Sequence, residues 1–173
     1  MVAATAIEIE RWPQTTEEFD RLIGLTQDEL IQFATYRLGS QTDAEDVVQD
    51  VFVHAFKDRA KRRAVVEVRP YLFRMVRNRC TDVLRSRARA NTWRMEARRE
   101  KSGHEVQFPD FYRLLDQLPE NEAEVIRLRA WSDLSFGEIA VAVDAPVPTV
   151  KSRFRYGIEK LRRLMCPQGG LNQ

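Results

Sequence analysis

Apolar residues recur along this chain at spacings of three and four, the period of helices that bury one face. The most regular stretch is Leu134–Met165, LSFGEIAVAVDAPVPTVKSRFRYGIEKLRRLM. Ser135 and Glu138 form an S-x-x-E capping box that starts a short helix, Phe136 to about Val143. Pro146 and Pro148 then force a break, because proline cannot continue a helix but is tolerated in the first turn of the next. A second helix is predicted from Thr149 to about Met165. Projected at about 100° per residue, its Val150, Phe154, Gly157, Ile158 and Leu161 fall on one side, with Leu164 or Met165 at the end. Thr149, Ser152, Arg155 and Tyr156 fall opposite, with Lys151 and Arg153 on the flanks. A short helix, a tight turn and a basic helix make a helix-turn-helix whose outer face suits a major groove. An ordinary helical hairpin with a solvated charged face is the competing reading.

The same period organises the rest of the chain. Residues 1–14 are expected to be a loose leader ending at Trp12-Pro13. Thr15 and Glu18 form a second capping box, followed by Phe19, Leu22, Ile23, Leu30, Phe33, Ala34 and Leu38, with Gly24 a candidate kink and Gly39 the stop. Thr42 and Glu45 read as a third box, opening a helix with Val47, Val48, Val51, Phe52, Ala55 and Phe56 apolar. Its other face carries Asp43, Asp46, Gln49 and Asp50. Residues 57–69 have no stripe and are expected to form a loop. Pro70 is placed as the first residue of a helix burying Leu72, Phe73, Val76, Cys80, Val83 and Leu84. From about residue 89 to 107 the apolar pattern fades into a linker. Pro109 is expected to open a helix with Phe111, Leu114, Leu115 and Leu118. Pro119 ends it and begins another, in which Ala123, Val125, Ile126, Leu128 and Trp131 alternate with Glu122, Glu124, Arg127 and Arg129. The fold class is therefore all-α: two small helical domains, 15–88 and 108–165, joined by a flexible linker, with a tail at 166–173.

Charge changes this picture more than composition does. The chain carries 28 basic and 26 acidic side chains, net +2. That balance hides a swing from −7 over residues 1–60 (5 basic, 12 acidic) to +10 over 61–101 (14 basic, 4 acidic). Residues 102–173 return to −1, with 9 basic and 10 acidic. Two surfaces of opposite sign point to two macromolecular partners, one of them nucleic acid. No apolar run is long enough to span a membrane, and the N-terminus lacks the order of a secretory signal. Two distant cysteines, Cys80 and Cys166, fit a reducing cytoplasm. His54 and His104 have no ligand-like neighbours, so no metal is expected. The absence of a glycine-rich phosphate loop and of a nucleophile–base spacing argues against an enzyme, a cofactor or a small-molecule substrate.

The ordered residues LSFGEIA…P-x-x-T-V-K-S-R…L-R resemble region 4.2 of the extracytoplasmic-function (ECF, group 4) sigma factors of bacterial RNA polymerase. L-P-E-x-x-x-E-V-I-R-L-R resembles region 4.1, DAEDVVQDVFVHAF regions 2.1–2.2, and PYLFRMVRNRCTDVLRSR regions 2.3–2.4. The resemblance spans roughly residues 17–165. It departs at Asp144-Ala145, where the family has a glycine-containing turn, and at Pro148, where glycine is usual. What it implies is a factor that binds core polymerase and directs promoter-specific initiation, with one domain reading a −35 duplex and the other opening the −10 element. The implied −35 contacts are Lys151, Ser152, Arg155 and Tyr156, with Arg153 towards phosphate. On the −10 side, Asn78 matches the family's asparagine, an amide that both donates to and accepts from base edges. Arg74, Arg77 and Asp82 flank it, and Lys61, Arg62 and Arg63 lie on the loop that in the family captures a flipped base. Asp46, Gln49, Asp50 and Phe52 are the implied contacts to the clamp coiled coil of the polymerase β′ subunit, and the β subunit completes that partner. Phe52 as core is the competing assignment. An anti-sigma factor is a further implied partner. A sigma-like decoy for an anti-sigma factor and a stand-alone helix-turn-helix repressor are the alternatives. The first leaves the basic 61–101 block without a purpose, and the second leaves the acidic helix without one.

Overall fold

Helix α1, Thr16–Leu38, starts where its sequence provides partners for the orphan N–H groups of a first turn. The Thr15 hydroxyl accepts from the Glu18 N–H at 3.2 Å and the Glu18 carboxylate accepts from the Thr15 N–H at 3.3 Å. Gly39, at φ 69°, ends the helix in the left-handed conformation that glycine adopts without cost. The computed structural model describes residues 11–62, 64–94 and 114–165. The chain divides into two compact units, Met1–Glu105 and Val106–Gln173.

Gly24 does not kink α1, which runs unbroken. Buried Phe19, Leu22, Leu30 and Phe33 on either side hold it, each contributing about 1.5–3 kcal/mol of burial against about 1 kcal/mol for glycine in a helix. Helix α2, Gln41–Lys57, is capped by Ser40, whose hydroxyl accepts from the Asp43 N–H at 3.3 Å. The Thr42–Glu45 box therefore does not form: Ser40 offers the same hydroxyl two residues earlier, directly after the Gly39 turn. A 3₁₀ turn, Arg59–Arg62, follows. Helix α3, Val68–Arg94, begins two residues before Pro70 and outlasts the boundary placed at residue 88. Pro70 sits inside the first turn, where its missing N–H costs nothing, and buried Val68 docks the start. Phe33 of α1 meets Phe73 of α3 edge-on at 5.4 Å. The buried stripe of α3 closes at Cys80: Val83 is half-buried and Leu84 exposed.

In the second unit residues 109–113 lie outside the described part, so the predicted Pro109 start and Phe111 are not placed. Residues 114–118 form a turn into helix α4, Glu120–Trp131. Residues 123–128 of α4 are all buried, including Glu124 and Arg127, which the alternating pattern had placed outside. Arg127 is covered yet paired, with Glu120 at 3.0 Å and Asp116 at 3.3 Å, which is how a cation is retained in an interior. Helices α5, Phe136–Val143, and α6, Val147–Met165, complete the unit. Gly157 lets α6 lie close on α4: a Cβ there would stand 2.6 Å from Ile126 Cδ1 and 3.3 Å from Glu122 Cβ. Beside it Lys160 of α6 pairs with Glu122 of α4 at 2.7 Å.

Candidate nucleic-acid interface

The Ser135–Glu138 box forms as its sequence requires, with the Glu138 N–H donating to the Ser135 hydroxyl at 3.2 Å and the Ser135 N–H to the Glu138 carboxylate at 2.8 Å. The other end of α5 is closed by a non-glycine residue. Asp144 takes φ 55°, the Ala145 N–H bonds the Ala140 carbonyl at 3.0 Å, and the Asp144 N–H reaches Val141 at 3.4 Å. This is the two-bond helix stop usually made with glycine, and a short polar side chain tolerates it. Pro148 then falls in the first turn of α6, as its fixed φ favours. Both departures from the family pattern are thus accommodated without loss of the turn.

That turn presents the first half of α6. Val150, Gly157 and Leu161 are buried, and Phe154 meets Phe136 of α5 edge-on at 5.3 Å. Lys151, Arg155 and Tyr156 are exposed, while Thr149, Ser152 and Arg153 are half-buried. Arg155 donates to the Tyr156 hydroxyl at 3.3 Å, with its guanidinium 5.0 Å from that ring's centre. A guanidinium steadied on an aromatic ring keeps its flat fork for the paired acceptors of a guanine. Leu164 and Met165, at the far end, are exposed rather than packed.

In the first unit Asn78 and Asp82 are exposed and Arg74 and Arg77 half-buried, on one stripe of α3 by their spacing. Lys61 is exposed and pairs with Asp58 at 3.0 Å. Arg63 lies outside the described residues. Arg62 is half-buried: it donates to the Tyr71 hydroxyl at 2.8 Å and its guanidinium lies over the rings of Trp12 and Tyr71. Trp12 itself is 1% exposed, so residues 11–14 are part of the unit and not a loose leader. A tryptophan just before a capping box was the available signal.

Asp46, Gln49 and Asp50 are exposed on α2. Phe52 is buried, edge-on to Phe19 at 6.4 Å, which favours its assignment to the core. It also lines a groove of about 610 Å³ between α1 and α2, with Phe19, Ile23, Val48, Val53 and Phe56. Asp50 pairs with Arg79 of α3 at 2.8 Å. The groove was not foreseen, because its apolar lining reads in sequence as two ordinary buried stripes. Among the described residues no group of His, Cys, Asp and Glu could hold a metal ion, and no helix is long and apolar enough to cross a membrane.

Comparison with known proteins gives the same division. The sigma-70 region 2 family matches residues 22–90 and the sigma-70 region 4 family residues 114–163. The chain is 30% identical over 129 residues to the ECF RNA polymerase sigma-E factor of Escherichia coli K12, covering 64% of this chain and 68% of that protein. To the ECF RNA polymerase sigma factor SigE of Mycolicibacterium smegmatis it is 30% identical over 164 residues, covering 83% of this chain and 60% of that protein. Among solved structures, the sigma factor RpoE in complex with the anti-sigma factor NepR from Bartonella quintana shares the fold, with TM-score 0.72 and 23% identity over 87% of this chain and 98% of that one. CnrH in complex with the cytosolic domain of CnrY gives TM-score 0.68 and 26% identity over 90% and 92%. The chain belongs to the ECF sigma factors of bacterial RNA polymerase.

Proposed function

We propose that this chain is an alternative sigma factor that binds core RNA polymerase in the cytoplasm and directs promoter-specific initiation. The unit around 108–165 reads the −35 element as duplex, and the unit around 15–88 opens and reads the −10 element. The observation that carries the reading is the first half of α6: a capped helix and a tight turn present Lys151, Arg153 and Arg155 with Ser152 and Tyr156. Phosphates meet the flanking cations, and base edges meet Arg155, Tyr156 and Ser152. Asn78 reads −10 bases, with Arg74, Arg77, Asp82 and Lys61 around it. Asp46, Gln49 and Asp50, exposed on α2, form the polymerase surface, and Gln49 also lines the apolar groove. The RpoE–NepR structure supports an anti-sigma factor as a second partner.

Run-off transcription with purified core polymerase on a pool of promoter fragments tests this. Transcripts that appear only with the chain, sharing upstream sequences at −35 and −10, are expected. Core binding without transcripts favours a decoy, and duplex binding without core binding favours a repressor.

A further inference from the structure

The best-built cluster outside the proposed contacts lies where the chain first enters the fold. Glu18 accepts from the Gln14 N–H at 2.8 Å, the Thr15 N–H at 3.3 Å and the Arg11 guanidinium at 3.0 Å, which fixes residues 11–15 at the head of α1. That anchorage turns Trp12 inward. Its ring meets Tyr71, in the first turn of α3, edge-on at 5.7 Å and 87°. The Arg62 guanidinium lies 5.5 Å from the Trp12 centroid and 5.4 Å from that of Tyr71. It also donates to the Tyr71 hydroxyl at 2.8 Å and approaches Asp58 at 3.8 Å. Arg62 is the last residue of the 3₁₀ turn, and just beyond it Val66 is 70% exposed. The 3₁₀ turn between α2 and α3 is thus fastened to the head of α1 and to α3 by a cation between two aromatic rings. One of those rings is 50 residues away in sequence.

We propose that Trp12 is a positioning residue for promoter reading: through Arg62 it sets the conformation of the loop between α2 and α3 that faces the −10 strand. The inference rests on the proposed function, since only a −10-reading chain gives that loop a base to select. Trp12 is buried and touches no DNA, so any effect on base selection passes through the loop. A cation with one face desolvated is held by the ring beside it, and removal of that ring lets water compete for the guanidinium. The loop then samples other conformations, and selection at the captured base weakens. Among the described residues nothing accepts from Trp12 Nε1 or from Arg62 Nε. The indole N–H therefore contributes no hydrogen bond, and a phenyl ring keeps the essential face.

The test uses holoenzyme reconstituted from core polymerase and the full chain. Its probes are single-stranded oligonucleotides of the −10 region of a promoter obtained from the run-off pool, each carrying one base change. Trp12→Leu keeps an apolar side chain without a ring, and Trp12→Phe keeps a ring. We expect Trp12→Leu to lose about tenfold in discrimination at one −10 position, the scale of a desolvated cation–π contact. Trp12→Phe should discriminate as the wild type does. Discrimination is a ratio between two oligonucleotides on one holoenzyme, so partial unfolding of a variant leaves it unmoved. Equal discrimination by Trp12→Leu and wild type, or equal losses in the Leu and Phe variants, would overturn the proposal. If the wild-type chain gives no promoter-specific transcript, it is the sigma reading that falls. Amide hydrogen exchange of residues 59–67 in the free chain then still decides whether Trp12 fastens the loop: faster exchange in Trp12→Leu supports it, and unchanged exchange refutes it.

Discussion

Helices α3 and α6 both carry rows of cations, and they use them differently. On α3, Arg69 pairs with Glu29 of α1, Arg79 with Asp50 of α2, and Arg87 with Asp43 of α2. On the first half of α6, Lys151 and Arg153 make no ion pair among the described residues, and the recorded side-chain partner of Arg155 is the neighbouring Tyr156. Among the described residues the ion pairs of α6 lie beyond Gly157, as Lys160–Glu122 and Arg163–Glu159. Three cations of the +10 segment thus tie α3 to the acidic helices before it. A cation already paired gains less from a phosphate, because its carboxylate partner must be given up. Counts of basic residues overstate α3 as a phosphate binder and describe the head of α6 fairly.

The largest expected effect follows from the unpaired side. Replacing Arg155 and Tyr156 together by Ala should reduce −35 duplex affinity at least tenfold to a hundredfold, from roughly 1–3 kcal/mol per lost base contact. Both are exposed, so the melting temperature and core-polymerase affinity should hold. Fluorescence anisotropy with duplex and with core polymerase reads the two quantities separately. A parallel loss of both affinities would mean that the face is structural. Arg79→Ala, on the paired helix, should alter nucleic-acid affinity far less, and an equal loss there would erase the contrast.

That contrast shows which features could be read from sequence. The helix stripes were legible because burial leaves a period: Val150, Gly157 and Leu161 are buried as their spacing requires, and Thr15 and Ser135 form their boxes. The failures are of another kind. Ser40 displaces Thr42 as a cap because two hydroxyls two residues apart compete and the Gly39 turn decides between them. Arg127 is buried although the sequence alternates around it, because its ion partners are Glu120 at the head of α4 and Asp116 in the turn before it. The basic run at 61–63 gives no sign that Arg62 packs between Trp12 and Tyr71, because both rings are remote from that run in the sequence pattern. The predicted −35 residues share one helix, so periodicity alone grouped them. The residues proposed for the −10 element and the polymerase are distributed over α2, α3 and the turn between them, and long-range pairs such as Asp50–Arg79 leave no local trace.

Breaking that pair gives the next effect in size. Asp50→Asn removes the charge facing Arg79 while keeping the side chain's shape. An exposed pair of this kind is worth about 0.2–1 kcal/mol, so binding of the free chain to single-stranded DNA should strengthen by up to about fivefold. Core-polymerase affinity should fall in the same variant if Asp50 is a polymerase contact. A filter-binding titration at two salt concentrations checks the first part, since a released arginine steepens the salt dependence. Unchanged DNA affinity would show that Arg79 is not masked by its partner.

The smallest effect concerns the pair Asp43–Arg87, at the opposite end of the α2–α3 contact. The Asp43 carboxyl is held below the usual aspartate range, first by the Ser40 hydroxyl and then by Arg87. A carboxyl with a depressed folded-state value is protonated more readily in the unfolded chain. Its stabilisation is therefore complete above the unfolded value and is lost as pH falls through the folded one. Asp43 is half-buried and still meets solvent, so screening keeps this below about 1 kcal/mol. Thermal melts taken from about pH 6 down to about pH 3 should show the wild type losing stability more steeply than Asp43→Asn. Arg87→Ala should keep part of the slope, because the Ser40 hydroxyl still favours the carboxylate. If Arg87→Ala and Asp43→Asn have equally flat profiles, the interhelix arginine and not the capping serine sets the value. The ion pairs that bind α3 to α2 would then outweigh local capping, and the paired state of α3 would be the larger part of how this unit is held together.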